Sequence, residues 1–274
     1  MSRLLGYKGP PVLLSSVVIE HPHSLVEQSY APREMVTGTI NADGFGLGWY
    51  SEESELPGTY HRATPIWSDP DLPRLGRATR SRCIFAAVRN ATPGFAVDLQ
   101  NVPPFVHQQY LFMHNGAVEG FSRRFRRPLL EHIPADIHAS TLGSADSEVL
   151  FALALTYLRE NDIKPGSGVE NLQAALDHTI RIVLEQALPE KARASLNMGL
   201  TDGHSMVFAR LARGIKANSL YMRCEGDAHW VTSEPLDTSE SWEKIPKDNW
   251  IKIEQSGKCR REHIADLPLM QEWS

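Results

Sequence analysis

The chain opens Met1-Ser2-Arg3-Leu4-Leu5-Gly6-Tyr7, written MSRLLGY. Chain ends usually fray and can be spared, yet this one sets a hydroxyl, a guanidinium and an apolar run directly after its first residue. Such a run reads as a strand that enters the core at once, so the fold has to be built around the N-terminus. Further strand-like runs occupy residues 46–50, 84–88 and 110–113, punctuated by Pro, Gly and Asn-Gly turn signals. Two helices follow. Asp146–Glu160 has an acidic start and places Val149, Leu150, Leu153 and Tyr157 at helical spacing; Val169–Ala187 does the same with Leu172, Leu176, Ile180, Val183 and Leu184. The stretch NDIKPGSG (161–168) is the loop between them. Strand patterns return at 195–200, 204–211, 219–224, 229–233 and 250–253, with a Thr-Asp-Gly turn at 201–203. Strands, two helices, then strands, with no internal repeat or low-complexity linker, predict one α+β layered domain over residues 1–274.

Composition narrows the class. The 274 residues are 42% hydrophobic and 22% charged, enough for a sizeable core. A net charge of -5 gives no support for a nucleic-acid partner or an anionic membrane surface, and the run Arg123-Arg124-Phe125-Arg126-Arg127 reads as a solvated face. No window reaches the roughly 18 apolar residues of a membrane helix, and no signal-peptide core is visible, which predicts a cytoplasmic protein. The three cysteines, Cys83, Cys224 and Cys259, are far apart in sequence and form no C-x-x-C pair. They read as reduced, buried thiols and not as a disulfide framework or zinc site.

Several motifs are better read as structure. Asp43-Gly44-Phe45-Gly46-Leu47-Gly48 is rich in glycine but lacks the helical continuation and acidic partner of a dinucleotide loop, so its glycines predict a tight turn and close backbone approach. Among the 11 histidines, His21-Pro22-His23 lacks a third ligand at a recognisable spacing, and H-E-x-x-H and G-x-S-x-G are absent. No metal and no cofactor are expected. Singly, Arg89 reads as an ion-pair partner, Asn115-Gly116 as a hairpin turn and Asp146 as a helix cap. With an N-terminal hydroxyl they supply what acyl transfer needs: a nucleophile, a base, oxyanion donors and substrate anchors.

MSRLLGY (1–7), NADGFGLGWY (41–50), AAVRNATPG (86–94), LFMHNGAVEGF (111–121) and SADSEVL (144–150) occur in an order and spacing that resembles the class II glutamine amidotransferases, members of the N-terminal nucleophile hydrolase superfamily. TDGHSMVFAR (201–210) and TSEPLD (232–237) look like the stand-alone branch of that group, which includes the γ-glutamyl hydrolase of ergothioneine biosynthesis. The resemblance implies a four-layer αββα sandwich. It also implies that Ser2 stands at the nucleophile position once Met1 is removed, with its own α-amine as base. The Asn115 amide and the Gly116 N–H would form the oxyanion hole, Arg89 would hold the substrate α-carboxylate, Asp146 its α-ammonium, and Thr92 the glutamyl group; His114 is left as structural. The implied partner is a small γ-glutamyl molecule, with the oligomeric state open. The leaving group is expected among the loops 51–82 and 95–109.

One position departs from the family, which has cysteine where this chain has Ser2. A thiol titrates near 8.5, close to the α-amine, whereas a serine hydroxyl needs strong activation. Three accounts stay open: a cysteine-to-serine replacement that holds substrate unturned, favoured because every other motif residue is present; a serine-nucleophile variant; and a non-catalytic γ-glutamyl binder. Retention of Met1 would block the α-amine, so the Met1-retaining form is expected to be inactive. An amidotransferase subunit passing ammonia to a partner is the alternative to stand-alone hydrolysis.

Overall fold

Leu4 and Leu5 are neighbours in sequence but belong to different cores, the arrangement a strand adopts when both its faces are covered. In the computed structural model, which describes residues 2–35, 38, 40–90, 98–265 and 267, they lie in strand β1 (Arg3–Leu13). The chain continues through α1 (Leu14–Val18), α2 (Leu25–Tyr30), β2 (Phe45–Trp49), β3 (Gly58–Arg62), α3 (Leu72–Ala78), β4 (Arg80–Val88), β5 (Phe105–His107) and β6 (Tyr110–Val118). Short helices α4 (Arg126–Leu130) and α5 (Ala135–His138) lead to the long α6 (Asp146–Glu160) and α7 (Val169–Ala187). Then come β7 (Ala194–Thr201), β8 (Met206–Arg213), β9 (Tyr221–Glu225), β10 (Ala228–Thr232), β11 (Glu243–Lys244), β12 (Asn249–Ile253) and β13 (Cys259–His263).

Two antiparallel sheets result. The first has the order β11-β9-β10-β1-β4-β2-β3 and the second β13-β12-β8-β7-β6-β5. Alternation along the strands sorts three cores. Leu4, Phe85, Ala87, Leu111, Met113, Met206, Phe208, Ile251 and Ile253 point between the sheets. Leu5, Tyr7, Ile84, Ala86 and Val88 point outward to meet Leu14, Val18, Leu25 and Leu72 of α1, α2 and α3. On the other side Phe112, Leu196, Met198, Leu200, Val207, Ala209 and Trp250 meet the apolar faces of α6 and α7. The layers are therefore helix, sheet, sheet, helix, the expected four-layer α+β sandwich.

Both long helices match their predicted limits, because their apolar stripes are a local signal. The arginine run is solvated as expected: Arg123 and Arg124 are exposed, and Phe125 is buried beneath them. The hairpin-turn reading of Asn115-Gly116 is overturned. Both residues sit inside β6, paired with Asn197 and Leu196 of β7. The turn rule weighs two residues, whereas eight register partners in β7 decide this segment. The sequence reading also missed β3, β5, β11 and β13, short edge or near-edge strands whose polar, partly exposed residues carry little alternation signal. The glycine-rich stretch behaves as predicted, since a Cβ on Gly46 in β2 would sit 2.4 Å from the Pro103 carbonyl oxygen. Among the described residues no helix is long and apolar enough to cross a membrane.

Phe85 and Phe208 face each other from opposite sheets, ring centroids 5.4 Å apart. Phe208→Ala should cost about 3–5 kcal/mol of stability, read as a lower denaturant midpoint, because rigid sheet backbones cannot close the cavity it leaves.

Candidate active site

The first residues of β1 are held by contacts far away in sequence. Leu4 N–H donates to Ser233 Oγ at 3.0 Å, and Ser233 N–H donates back to the Leu4 carbonyl at 3.0 Å. The same Ser233 hydroxyl accepts from Asn115 Nδ2 at 3.4 Å. Ser233 directly follows β10 in the first sheet, and Asn115 lies in β6 of the second. One hydroxyl thus joins the N-terminal strand to Asn115 across the interior of the sandwich.

The orientation of the Asn115 amide is set by its other end. Asn218 Nδ2 donates to the Asn115 carbonyl at 3.1 Å and to Oδ1 at 3.2 Å. Asn218 is fixed in turn, its carbonyl accepting from Arg210 Nε at 2.7 Å and from Asn197 Nδ2 at 3.1 Å. With Oδ1 committed to a donor, Nδ2 must face the terminus of β1. The next residue can only be glycine: a Cβ on Gly116 would lie 1.8 Å from the Ser195 carbonyl oxygen.

Beside this bridge lies a buried ionic knot. Arg3 Nε stands 3.4 Å from Glu234 Oε1, both side chains 1% exposed. Glu234 Oε2 also meets His23 Nε2 at 2.8 Å and accepts from the Arg33 N–H at 2.8 Å, while Oε1 accepts from the Glu34 N–H at 3.1 Å. Burial alone would raise the Glu234 carboxyl; the bonds from His23, Arg33 and Glu34, with the charge of Arg3, outweigh it and lower it. Burial likewise lowers the Arg3 guanidinium, opposed by Glu234 and Glu34. His23 is thereby a structural partner, as the weak His21-Pro22-His23 spacing suggested.

Arg89 follows the last residue of β4. Val88 pairs with Arg3, so that register, extended by one residue, sets Arg89 against Ser2. The Arg89 backbone is clamped, its N–H donating to Gly44 O at 2.8 Å and its carbonyl accepting from Asp43 N–H at 3.1 Å. The guanidinium is largely buried, which lowers its pKa; the charges of Asp43, Asp146 and Asp98 act against that shift. Arg89 and Asp146 therefore share one electrostatic neighbourhood, although one follows a strand of the first sheet and the other opens helix α6. The ion-pair reading of Arg89 captures only part of this.

Asp146 begins α6, but its carboxylate is not the cap of that helix, and Ala145 at the cap position makes no side-chain bond. Oδ2 accepts from the Val118 N–H at 3.2 Å and Oδ1 from the Ser147 N–H at 2.8 Å. His114 braces the helix start, with Nδ1 3.0 Å from Ser147 Oγ and Nε2 3.1 Å from the Ser195 carbonyl oxygen. Asn101 Oδ1 fixes the preceding loop by accepting from the N–H groups of Ser144 and Ala145 at 3.0 and 3.1 Å. Thr92 and Met1 lie outside the described residues. A cavity of about 250 Å³ is lined by His61, Leu99, Val102, Phe105, Leu142 and Phe151 among others. Glu148, two residues beyond Asp146, also lines it.

Residues 14–223 match the family described as "Glutamine amidotransferases class-II". A γ-glutamyl-hercynylcysteine sulfoxide hydrolase of Mycobacterium tuberculosis (strain CDC 1551 / Oshkosh) is 31% identical over 258 residues, covering 94% of each chain. A probable glutamine amidotransferase of Saccharomyces cerevisiae is 30% identical, covering 93% of this chain and 82% of its own. Among solved structures, a glutamine aminotransferase class-II domain protein from Silicibacter pomeroyi superposes with a TM-score of 0.66 at 25% identity, covering 96% of this chain and 100% of that one. The chain belongs to the class II glutamine amidotransferases, and its fold is the N-terminal nucleophile sandwich. The chemistry named for these relatives is that of a γ-glutamyl hydrolase and of glutamine amidotransferases.

Reading the sequence residue by residue missed Arg3, Ser233, Glu234, Asn218 and Asn197. The stretch TSEPLD (232–237) was visible as a motif, yet nothing in it says that Ser233 binds Leu4 and Asn115, or that Glu234 meets Arg3. The three cysteines also differ from expectation. Cys83 is buried, but Cys224 is exposed and Cys259 half-buried, and their sulfurs lie 2.8 Å apart. Distance along the chain had set them apart; the packing of one sheet on the other brings them together.

Glu234→Gln keeps the shape but removes the charge opposite Arg3, and breaking such a buried pair costs about 3–5 kcal/mol at neutral pH. A carboxyl lowered in the folded state contributes stability above its unfolded pKa, near 4.3, and loses it as pH falls through the folded value. The stability gap between wild type and Glu234→Gln should therefore be constant above about pH 5 and shrink below about pH 4, in urea titrations across that range.

Proposed function

We propose that this chain is built to cleave a γ-glutamyl amide by attack from residue 2 after removal of Met1, with hydrolysis of the resulting γ-glutamyl acyl-enzyme. The observation that carries the reading is the Ser233 hydroxyl, which accepts from both Leu4 and Asn115 and so holds the terminus of β1 beside the amide proposed as oxyanion donor. In this reading the α-amine of residue 2, titrating at about 7.7–8.0 when unperturbed, accepts the nucleophile's proton. The Asn115 amide and the Gly116 N–H stabilise the oxyanion that forms as the carbonyl is attacked. Arg89 offers a planar fork to the substrate α-carboxylate, and Asp146 a carboxylate to its α-ammonium. Thr92 adds a hydrogen bond to the glutamyl group. These anchors favour a free γ-linked glutamyl group over an internal glutamine, whose α-groups are tied up in peptide bonds.

The leaving group would lodge in the cavity around Val102, Phe105 and Phe151, which the 95–109 region lines on one side and residues 140–155 on the other, with His61 alone from the 51–82 region. Its apolar lining with His61 and His107 suits a bulky, partly aromatic amine component better than ammonia. γ-Glutamyl-hercynylcysteine sulfoxide, named for the mycobacterial relative, is the first substrate to test. The working assignment is a single domain that acts alone in the cytoplasm on a small molecule. With serine at position 2, the form given by this sequence is proposed to bind that molecule and turn it over poorly. A non-catalytic γ-glutamyl binder is the second reading, favoured by Ser2 itself.

Ser2→Cys protein, with Met1 removal verified by intact mass, should release glutamate from a bulky γ-glutamyl conjugate and little from glutamine. Absence of release from processed Ser2→Cys protein would leave the binding reading. In the Ser2→Cys background, Asn115→Ala should lower kcat by about 100- to 1000-fold with a small change in KM. Arg89→Lys should act mainly on KM, since a point charge replaces a two-pronged contact.

A further inference from the structure

Cys224, His229 and Cys259 converge toward an edge of the sandwich. Their candidate ligand atoms all lie within 4.8 Å of one another, the one such group among the described residues. Cys224 and His229 are directly opposed in the β9 and β10 pair. Cys259 begins β13, in the other sheet, and its side chain reaches the inter-sheet core. The trio therefore spans the gap between the two sheets, where β9 and β13 run near the edges.

The histidine shows what the trio is for. His229 is 3% exposed, and its Nε2 is held 2.7 Å from the Gly257 carbonyl oxygen. Its Nδ1 is buried, has no oxygen or nitrogen partner and faces the Cys224 sulfur, which lies directly opposite across the strand pair. An imidazole with one nitrogen anchored on a backbone carbonyl and the other turned to two sulfurs is held as a metal-ligating histidine is held. Gly257 itself takes φ +83 in the turn before β13, which carries the carbonyl to the ring.

We propose that Cys224, Cys259 and His229 form a site for a soft divalent cation, zinc(II) above all, that clamps the edges of the two sheets. Two thiols release their protons to solvent as two metal–sulfur bonds form, and neutral His229 gives its Nδ1 lone pair. The two thiolates neutralise the charge of the ion. The exposed side of Cys224 leaves the fourth tetrahedral position to water. Sulfurs bound to one tetrahedral zinc at about 2.3 Å stand about 3.8 Å apart, so binding widens the present 2.8 Å separation, a movement that the exposed Cys224 side chain can make.

The site does not depend on the proposed reaction, and its test reads metal and not turnover. Reduced, chelator-stripped full-length protein is titrated with zinc(II) against a chromophoric chelator, and cobalt(II) is used as a spectroscopic substitute. The expected result is one zinc per chain, a sulfur-to-cobalt charge-transfer band, and a thermal transition raised by zinc. Cys259→Ser, Cys224→Ser and His229→Ala should each weaken zinc binding by about 100-fold, while Cys83→Ala, which removes the remaining thiol, should not. Failure of the reduced wild type to retain zinc or show the cobalt band would overturn the proposal. So would loss of two thiols in air without any metal affinity, which marks a disulfide pair. Zinc binding unchanged in Cys259→Ser and His229→Ala would do the same.

Discussion

Glu234 carries a carboxylate into a part of the molecule where its side chain is 1% exposed, and four partners from three segments converge to hold it there. Isolated buried charge is among the costliest things a fold can contain, so the partners are not optional. One of them is Arg3, the first residue of β1. Through that pair the terminus is fixed against the strand pair β1–β10. The neighbouring Ser233 hydroxyl extends the constraint across the sandwich to Asn115. Chain ends are normally the loosest part of a domain; here the end is tied by a salt bridge, a backbone bond from Ser233 and the shared Ser233 hydroxyl.

That constraint gives the rest of the site its geometry. β1 pairs with β4, so Arg89 follows from the register, and β6 lies across the inter-sheet core, so Asn115 and Gly116 arrive from the second sheet. α6 covers the outer face of that sheet, and its first residue, Asp146, is pinned by the Val118 and Ser147 N–H groups. Two sheets and a helix thus contribute one polar group each to a region bounded by the N-terminus. Rigid elements hold such groups with less positional error than loops do. The glycine at position 116 belongs to the same logic, since the Ser195 carbonyl fills the space a side chain would need.

The trio of Cys224, His229 and Cys259 is another place where polar groups of the two sheets meet. It lies toward the β9 and β13 edges, where the inter-sheet core thins to Met222 and Cys259, both only partly buried. Where an apolar layer runs out, a few strong bonds can do what many weak contacts do elsewhere.

The sequence by itself determined whatever depends on near neighbours. The two long helices came out at their limits because a 3.6-residue apolar stripe is a local signal. The main strands were visible from their apolar runs, and the four-layer arrangement from the resemblance of five linked motifs. Asn115-Gly116 defeated the local rule, because a dipeptide that favours a turn was overruled by eight register partners in β7. The short strands β3, β5, β11 and β13 carry too few residues to alternate visibly. Only the tertiary structure decided that Ser233 would serve Leu4 and Asn115 at once, that Glu234 would close on Arg3, and that two cysteines 35 positions apart would meet beside an imidazole nitrogen. Each of these is a contact between strands whose pairing order departs from their order along the chain, and such contacts leave no periodic trace in a single sequence.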